Sequence, residues 1–358
     1  MVVVVVVTLV VPAHLPRLEP PLEQLLEPMR AQLLTHVSAS AGPRPRLDPA
    51  RFAELLAGGA TPTRARATAS VLTGAGVSTE SGLPDYRGEH GLYRDGTRRV
   101  QSHDEYVRDE HARKRYWARA VSAFGRFTRA RPNETHWSLA ALERAGFVSG
   151  LVTQNVDRLH SAAGSRRVVE LHGRGDRVHC VECEHEATRA EYVDRLHAAN
   201  PSFVDALRAV DAEARPDFDA AVPEDQLTRD ALSGFRLPPC AACGFPLVKP
   251  SFVFFGGSVP RPVADEAARV LASAPLMLVV GTTATTYSAF RPVSLARAAH
   301  GVRVGVVNRG ATRVDPLADL GFFDHASCAD FFRALCAELG VRARGAHDGE
   351  GDPEGDSA

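Results

Sequence analysis

The chain has 358 residues, 44% of them hydrophobic, and a formal net charge of −1. That length holds one large domain or two around a sizeable apolar core. The near-neutral balance gives no electrostatic case for nucleic acid or an anionic membrane as principal partner. Lys114 and Lys249 are the only lysines, and with abundant Ala, Gly and Pro the arginine bias points to a GC-rich, bacterial coding sequence.

Val2 to Val11 form an apolar run with no basic region before it. The run is far short of the about 20 residues that span a bilayer. It reads as a start assigned upstream of the true one, with a degenerate signal peptide as the alternative. Residues 1–45 are expected to form a tail containing a short helix over Leu22 to Leu34. Ala50 to Leu56 has the pattern of a short amphipathic helix.

A strand over Ser70, Val71 and Leu72 breaks into Thr73-Gly74-Ala75-Gly76-Val77-Ser78. Gly74 and Gly76 are expected to let the backbone approach a ligand closely, with a helix starting near Ser78 or Thr79 whose free N–H groups face a phosphate. Gly-x-Gly alone also fits an ordinary strand-to-helix turn, and the third glycine of the dinucleotide fingerprint is absent. A polar, proline-stiffened loop follows, Ser81 to Arg87, carrying Pro84, Asp85, Tyr86 and Arg87. His90 to Arg131 is arginine-rich and helical in pattern, with aromatics at Tyr93, Tyr106, Tyr116, Trp117, Phe124 and Phe127. It is expected to pack beside the nucleotide fold. His136 to Arg144 is a further helix.

Phe147 to Thr153 reads as a buried strand running into Gln154-Asn155-Val156-Asp157. Open parallel sheets bind ligands at such a carboxyl end. The same segment fits a helix N-cap by Asn155 or Asp157. Val168 to Glu170 leads to His172, whose position suits a structural histidine as well as a reactive one. Cys180-x-x-Cys183 and Cys240-x-x-Cys243 have the spacing of a tetrahedral Zn²⁺ site. Four thiolates close the coordination sphere, so the one ion expected is structural. Disulfides would need an oxidising compartment, and no secretory signal is evident. A cytoplasmic location is expected, or a mitochondrial one if the source is eukaryotic. The long stretch between the pairs reads as an elaboration, helical over Ser202 to Ala214. Cys328 and Cys336 are unpaired, and Cys336 falls on a C-terminal helix as a core residue.

Leu247 to Phe255, Leu276 to Val280 and Val302 to Val307 are further strands, with a helix over Asp265 to Ala272. They end in Gly256-Gly257, Gly281-Thr282-Thr283 and Asn308-Arg309-Gly310. The alternation implies an α/β fold with a doubly wound, mostly parallel, Rossmann-like sheet and a smaller inserted zinc-ribbon and helical domain. The expected division is 46–176 with 245–341 for the nucleotide-binding domain (a helical insertion at about 89–132), 177–244 for the zinc module and 342–358 for a disordered acidic tail.

These runs resemble the sirtuin family in order, from about Ser70 to about Asp330: Gly74 to Ser78, Ser81 to Arg87, Thr153 to Asp157, Glu170-Leu171-His172-Gly173, the two Cys pairs, Val253-Phe254-Phe255-Gly256 and Asn308-Arg309-Gly310. Tyr86, Gly91-Leu92-Tyr93 with Arg115-Tyr116-Trp117-Ala118-Arg119, and the long insert look like its class II branch. The resemblance implies NAD⁺-dependent removal of an acyl group from protein lysine, acetyl by default (a deacetylase or broader deacylase), with NAD⁺ consumed as co-substrate and release of nicotinamide and O-acyl-ADP-ribose. It makes His172 the general base, a task suited to an imidazole titrating near neutral pH. Asn155 and Asp157 would serve the nicotinamide and ribose side, beside Gln154 and Val156. Gly74, Ala75 and Gly76, followed by Ser78 and Thr79, would hold the pyrophosphate; Pro84, Asp85, Tyr86 and Arg87 would form the loop over the cofactor. Gly281, Thr282, Thr283, Asn308, Arg309 and Gly310 would surround the adenosine. Val253 and Phe255 would line the acyl-lysine tunnel, and the peptide would pair as a strand beside Val253. The expected partners are acyl-lysine proteins or peptides and NAD, with no nucleic acid or membrane, and the protein is expected to be a monomer.

Gly257, Ser251 and Thr282-Thr283-Ala284 depart from the family's usual residues, which puts peptide preference and adenosine contacts in question. Tyr116 and Arg119 share a helix face and could bind an acidic acyl group, or Arg119 could be an ordinary solvated arginine. ADP-ribosyl transfer on the same site, or a non-catalytic NAD-binding zinc protein, remain alternatives.

Overall fold

The structure is a computed structural model. It describes residues 45–58, 68–88, 91–92, 101–206 and 227–343, leaving aside the side chains of 122–126. The expectations for Val2 to Val11, 22–34, Tyr93, Phe124, most of the Ser202 to Ala214 helix and the acidic tail lie outside these residues. The described strands are β1 (Ala69–Thr73), β2 (Val148–Thr153), β3 (Val168–Glu170), β4 (Gly173–Cys180), β5 (Glu186–Thr188), β6 (Val248–Phe252), β7 (Leu276–Val280), β8 (Arg303–Val307) and β9 (Gly321–Phe323). The helices are α1 (Pro49–Ala57), α2 (His103–Arg108), α3 (Glu110–Arg129), α4 (Glu134–Arg144), α5 (Leu159–Ala162), α6 (Arg189–Ala199), α7 (Arg261–Leu271), α8 (Tyr287–His300) and α9 (Cys328–Glu338).

Every residue of β1 and β7 is buried, as in strands covered on both faces. They form the centre of a six-stranded parallel sheet of order β3-β2-β1-β7-β8-β9. Alternate side chains separate the two cores. Val71, Leu278 and Val280 pack with Phe52 and Leu56 of α1, Leu139 and Leu142 of α4, and Phe331 and Phe332 of α9. Leu72, Met277, Val279 and Val304 pack with Ala267 and Leu271 of α7 and Ala289 and Val293 of α8. The chain moves outward from β1 to β2 on one side and from β7 to β8 on the other. The crevice beyond the carboxyl ends of β1 and β7 is therefore the topological switch point, where such sheets bind ligands.

A second sheet, antiparallel and of order β5-β4-β6, stands on this frame. The strand expected over Leu247 to Phe255 is shorter and belongs here, not to the parallel sheet. Pro250 has no N–H to donate, which suits an edge strand such as β6. The arginine-rich helices also differ from expectation. Instead of packing beside the large sheet, α3 shares a core with the small one, where Trp117, Val121, Val178, Tyr192, Leu196, Phe235 and Val248 are all buried together. The Trp117 indole donates to the Tyr106 hydroxyl at 2.7 Å, and Tyr106 donates to the Val248 carbonyl at 2.7 Å. Two amphipathic aromatics thus dock α2 and α3 on β6 with their polar tips satisfied.

Candidate active site

Beyond β1 the chain does not enter an α-helix at Ser78; it forms a 3-10 turn over Ala75–Ser81. Gly82 closes the turn at φ 79° with its N–H on the Ser78 and Thr79 carbonyls, and Pro84 prevents a longer helix. The glycines also serve a packing purpose that the sequence did not show, and they do so without the positive φ that glycine allows. Gly74 is extended (φ −139°), and neither it nor Gly76 has positive φ. A Cβ on Gly74 would meet Thr282 Cβ at 2.5 Å, and one on Gly76 would meet the Gly281 carbonyl oxygen at 2.8 Å. The close approach is between the β1 and β7 loops, locked by the Gly76 N–H on the Gly281 carbonyl at 2.8 Å.

The β2 loop is tied into the same place. The Gln154 amide donates to Thr282 Oγ1 at 2.9 Å, and the Asn155 amide donates to the Gly74 carbonyl at 3.0 Å and to Ser78 Oγ at 3.2 Å. The Ser78 hydroxyl donates to Asp157 Oδ2, while Oδ1 receives the Leu159 N–H, so Asp157 also caps the start of α5. Burial pushes the Asp157 carboxyl up from its ordinary range, partly offset by these hydrogen bonds.

His172 lies between the two sheets, one residue before β4. Its Nδ1 is 3.1 Å from the Gln154 carbonyl oxygen. A carbonyl only accepts, so Nδ1 carries the proton and Nε2 the lone pair. Nε2 is 2.9 Å from Ser288 Oγ, near the start of α8. Burial lowers the imidazole's pKa, which keeps the ring neutral at pH 7. Gly173 then turns at φ 79°, where a Cβ would strike the Ser251 carbonyl oxygen at 2.4 Å.

These loops enclose a cavity of about 1610 Å³. Ala75, Gly76, Thr79, Pro84, Asp85, Tyr86 and Arg87 line it from the β1 side, and Gln154, Asn155, Val156 and His172 from the β2 and β3 side. Gly281, Thr282, Thr283, Asn308, Arg309 and Gly310 line its far end, and Val253 and Phe255 its near end. Gly74, Ser78 and Asp157 are not on the wall; they stand behind it and brace it. Asp85 turns back to take the Gly88 N–H at 2.9 Å, which shapes its own loop. Tyr116 and Arg119 reach the cavity from α3, and the Tyr116 hydroxyl receives a hydrogen bond from Arg189 at 3.1 Å. Thr286, Tyr287, Ser288 and Arg291 also line it and were not singled out in the sequence. No motif marks them, because they reach the site only through the way α8 enters.

Cys180, Cys183, Cys240 and Cys243 bring their sulfurs within 4.8 Å of one another. The Cys180–Cys243 and Cys183–Cys240 sulfurs are each 3.7 Å apart. This is too far for a disulfide and close to the roughly 3.8 Å expected between thiolates about 2.3 Å from one tetrahedral zinc. The two turns have the same form: the Cys180 N–H bonds the His185 carbonyl and the Cys240 N–H the Phe245 carbonyl. Glu184 and Gly244 take the left-handed position in each, at φ 57° and 75°. The donor set fits a structural Zn²⁺, with no side left open for chemistry.

A doubly wound sheet with a small thiolate-knuckle sheet over its switch point is the frame of a nucleotide-using enzyme. Residues 74–288 match the Sir2 family, and the chain belongs to that family. It is 44% identical over 266 residues to the NAD-dependent protein deacylase Sirt4 of Drosophila melanogaster, covering 74% of this chain and 81% of that protein. It is 45% identical over 252 residues to NAD-dependent protein deacetylase 2 of Bradyrhizobium diazoefficiens, covering 70% and 87%. Among solved structures it resembles a Sir2 enzyme with a deacetylated p53 peptide and 3′-O-acetyl-ADP-ribose (28% identity, TM-score 0.62, covering 82% of this chain and 98% of that one). A Sir2 complex with p53 peptide and NAD⁺ is similar at 29% identity and TM-score 0.57, covering 76% and 93%.

Proposed function

We infer that this protein is an NAD-dependent protein-lysine deacylase that transfers the acyl group to ADP-ribose with release of nicotinamide. The observation that carries the reading is His172: a neutral imidazole on the wall of the switch-point cavity, with Nδ1 fixed on the Gln154 carbonyl and the Nε2 lone pair on the hydroxyl of Ser288, a second residue of that wall. Such a nitrogen can take a proton from a ribose hydroxyl so that this oxygen attacks the acyl carbon once nicotinamide has left. Gly76, Asn155 and Gln154 hold the three loops in register and so orient the NAD⁺. Arg87 and Tyr86 cover the cavity from one side, and the Tyr86 ring meets Phe255 edge-on across the mouth at 6.4 Å. The zinc holds the small sheet and supplies no chemistry.

The same reading assigns the chain to the class II branch and takes the six-stranded sheet with the helices packed on it as the NAD-binding part, without β6, α2 and α3, which the expected division includes. Tyr86, the Arg115-to-Arg119 run and the long segment between the cysteine pairs support the branch. It takes the enzyme as a cytoplasmic monomer without nucleic-acid partners. Among the described residues no helix is long and apolar enough to cross a membrane. Tyr116 and Arg119, both on the cavity wall, favour an acidic acyl group such as succinyl or glutaryl over acetyl, since a guanidinium pairs with carboxylates.

The test is nicotinamide release from NAD⁺ with and without acyl-lysine peptides, for wild type and His172→Ala. Release that requires peptide and collapses in the variant is the expected result. Labelled ADP-ribose on protein in place of deacylated peptide would instead make the enzyme an ADP-ribosyltransferase. Binding of NAD⁺ without turnover would make it a reader.

A further inference from the structure

The nitrogen of His172 that carries the lone pair, Nε2, already has a partner, the Ser288 hydroxyl 2.9 Å away. Because Nδ1 keeps its proton for the Gln154 carbonyl, the neutral ring can only accept at Nε2, and Ser288 donates there. Ser288 Oγ is also 3.3 Å from Thr286 Oγ1. When Nε2 takes a proton the hydroxyl can turn, accepting from Nε2–H and donating to Thr286. Pro292, four residues on in α8, has no N–H to give the Ser288 carbonyl.

We propose that Ser288 is a positioning residue that strengthens His172 as a base by stabilising the imidazolium formed at Nε2. The proposal rests on the reading of His172 as the general base. The step balances: a substrate O–H bond breaks, an Nε2–H bond forms, and the Ser288 proton stays on its oxygen while changing direction. A charge-assisted hydrogen bond is about twice as strong as a neutral one. The hydroxyl therefore favours the protonated ring and opposes the burial that lowers the pKa of His172. The other titratable or charged groups on the surrounding elements are Glu170, paired with Arg158, Asp157, bonded to Ser78, and Tyr287 and Arg291 of α8. Among the described residues none of these hydrogen-bonds the imidazole.

The experiment compares wild type, Ser288→Ala and Ser288→Thr in the full chain. It reads the His172 pKa by NMR of the imidazole nitrogens without NAD⁺, and the pH profile of kcat/KM with peptide. In Ser288→Ala the His172 pKa should fall by about half to one unit. The acid limb of the profile should move the same way and kcat should drop several-fold, and threonine should restore all three. An unchanged His172 titration in the alanine variant overturns the proposal, even if activity falls, and so does a threonine variant that behaves like alanine. The NMR arm does not depend on turnover. If His172→Ala keeps peptide-dependent nicotinamide release, the base assignment fails, and with it the catalytic meaning of Ser288; the titration still decides whether Ser288 sets the ring's proton affinity.

Discussion

The Ser78 hydroxyl donates to Asp157 Oδ2 across 2.7 Å, while Oδ1 receives the Leu159 N–H at 2.9 Å. Both oxygens of this buried carboxylate are engaged by the protein, and the pair joins the β1 loop to the β2 loop. Asp157→Ala should leave the Leu159 N–H without a partner and Ser78 without its acceptor, at a cost of about 1–3 kcal/mol. Asp157→Asn should cost less, because the amide oxygen can take the N–H while its NH₂ turns to Ser78 Oγ. Urea denaturation of the two variants measures this, and equal stability of wild type and Asp157→Ala would contradict it.

Stability should fall in mild acid. His136 and His160 are buried with ring centroids 4.7 Å apart. Burial lowers His136 to about 4 and His160 well below its ordinary value, with His136 as a further cause for the latter. Unfolded, both titrate near 6.5. Below that pH the unfolded chain binds protons that the folded one refuses. Stability is therefore full above about pH 6.5 and is lost as pH falls toward 4, by up to about 1.4 kcal/mol per unit for each histidine. A urea midpoint that stays level from pH 7.5 to 5 would exclude this.

Removing the metal should disturb α3 as well as the cysteine turns. Trp117 is fully buried in the core shared by α3, α6 and the small sheet. Chelation, or Cys183→Ser, should move tryptophan emission to longer wavelength and abolish deacylation together. Full activity in protein shown to be zinc-free would refute the structural role.

Glu184 holds a left-handed conformation (φ 57°) at the position that glycine holds in the partner turn, Gly244. A side chain there costs about 1 kcal/mol. Glu184→Gly should raise the melting temperature of the zinc-loaded protein by a few degrees, and calorimetry would show a decrease if the side chain were contributing instead.

Arg119→Ala should lower kcat/KM for succinyl and glutaryl peptides about tenfold relative to acetyl peptide, the loss of one arginine–carboxylate contact. Unchanged ratios would return Arg119 to the role of a surface charge.

The strands of the parallel sheet other than β9, and the metal site, were legible because their signals are local, whereas β4, β5 and β9 were not anticipated. β7 is an unbroken apolar run, and Cys-x-x-Cys turns fix their own geometry. The packing contacts of Gly74 and Gly76 were not legible, since the atoms they meet, on Gly281 and Thr282, are about two hundred residues away in sequence. Nothing in the apolar pattern of Leu247 to Phe255 says which sheet it joins; Pro250 and the antiparallel partner β4 decide that. Trp117 looked like a helix facing the nucleotide fold because a buried aromatic does not state what buries it. Ser288 was invisible for the same reason, its proposed role resting on one contact with a histidine more than a hundred residues earlier, in the turn between β3 and β4.

His172 and Val253 lie on the two crossings between the sheets, one just before β4 and the other just after β6, and the Val253 N–H bonds the His172 carbonyl at 2.9 Å. The backbone that carries the imidazole is thereby clamped to the segment that leaves the small sheet. Whatever shifts the zinc-bearing sheet would be passed to His172 through one peptide hydrogen bond, so the metal knuckle, remote from the chemistry, helps fix the aim of the base.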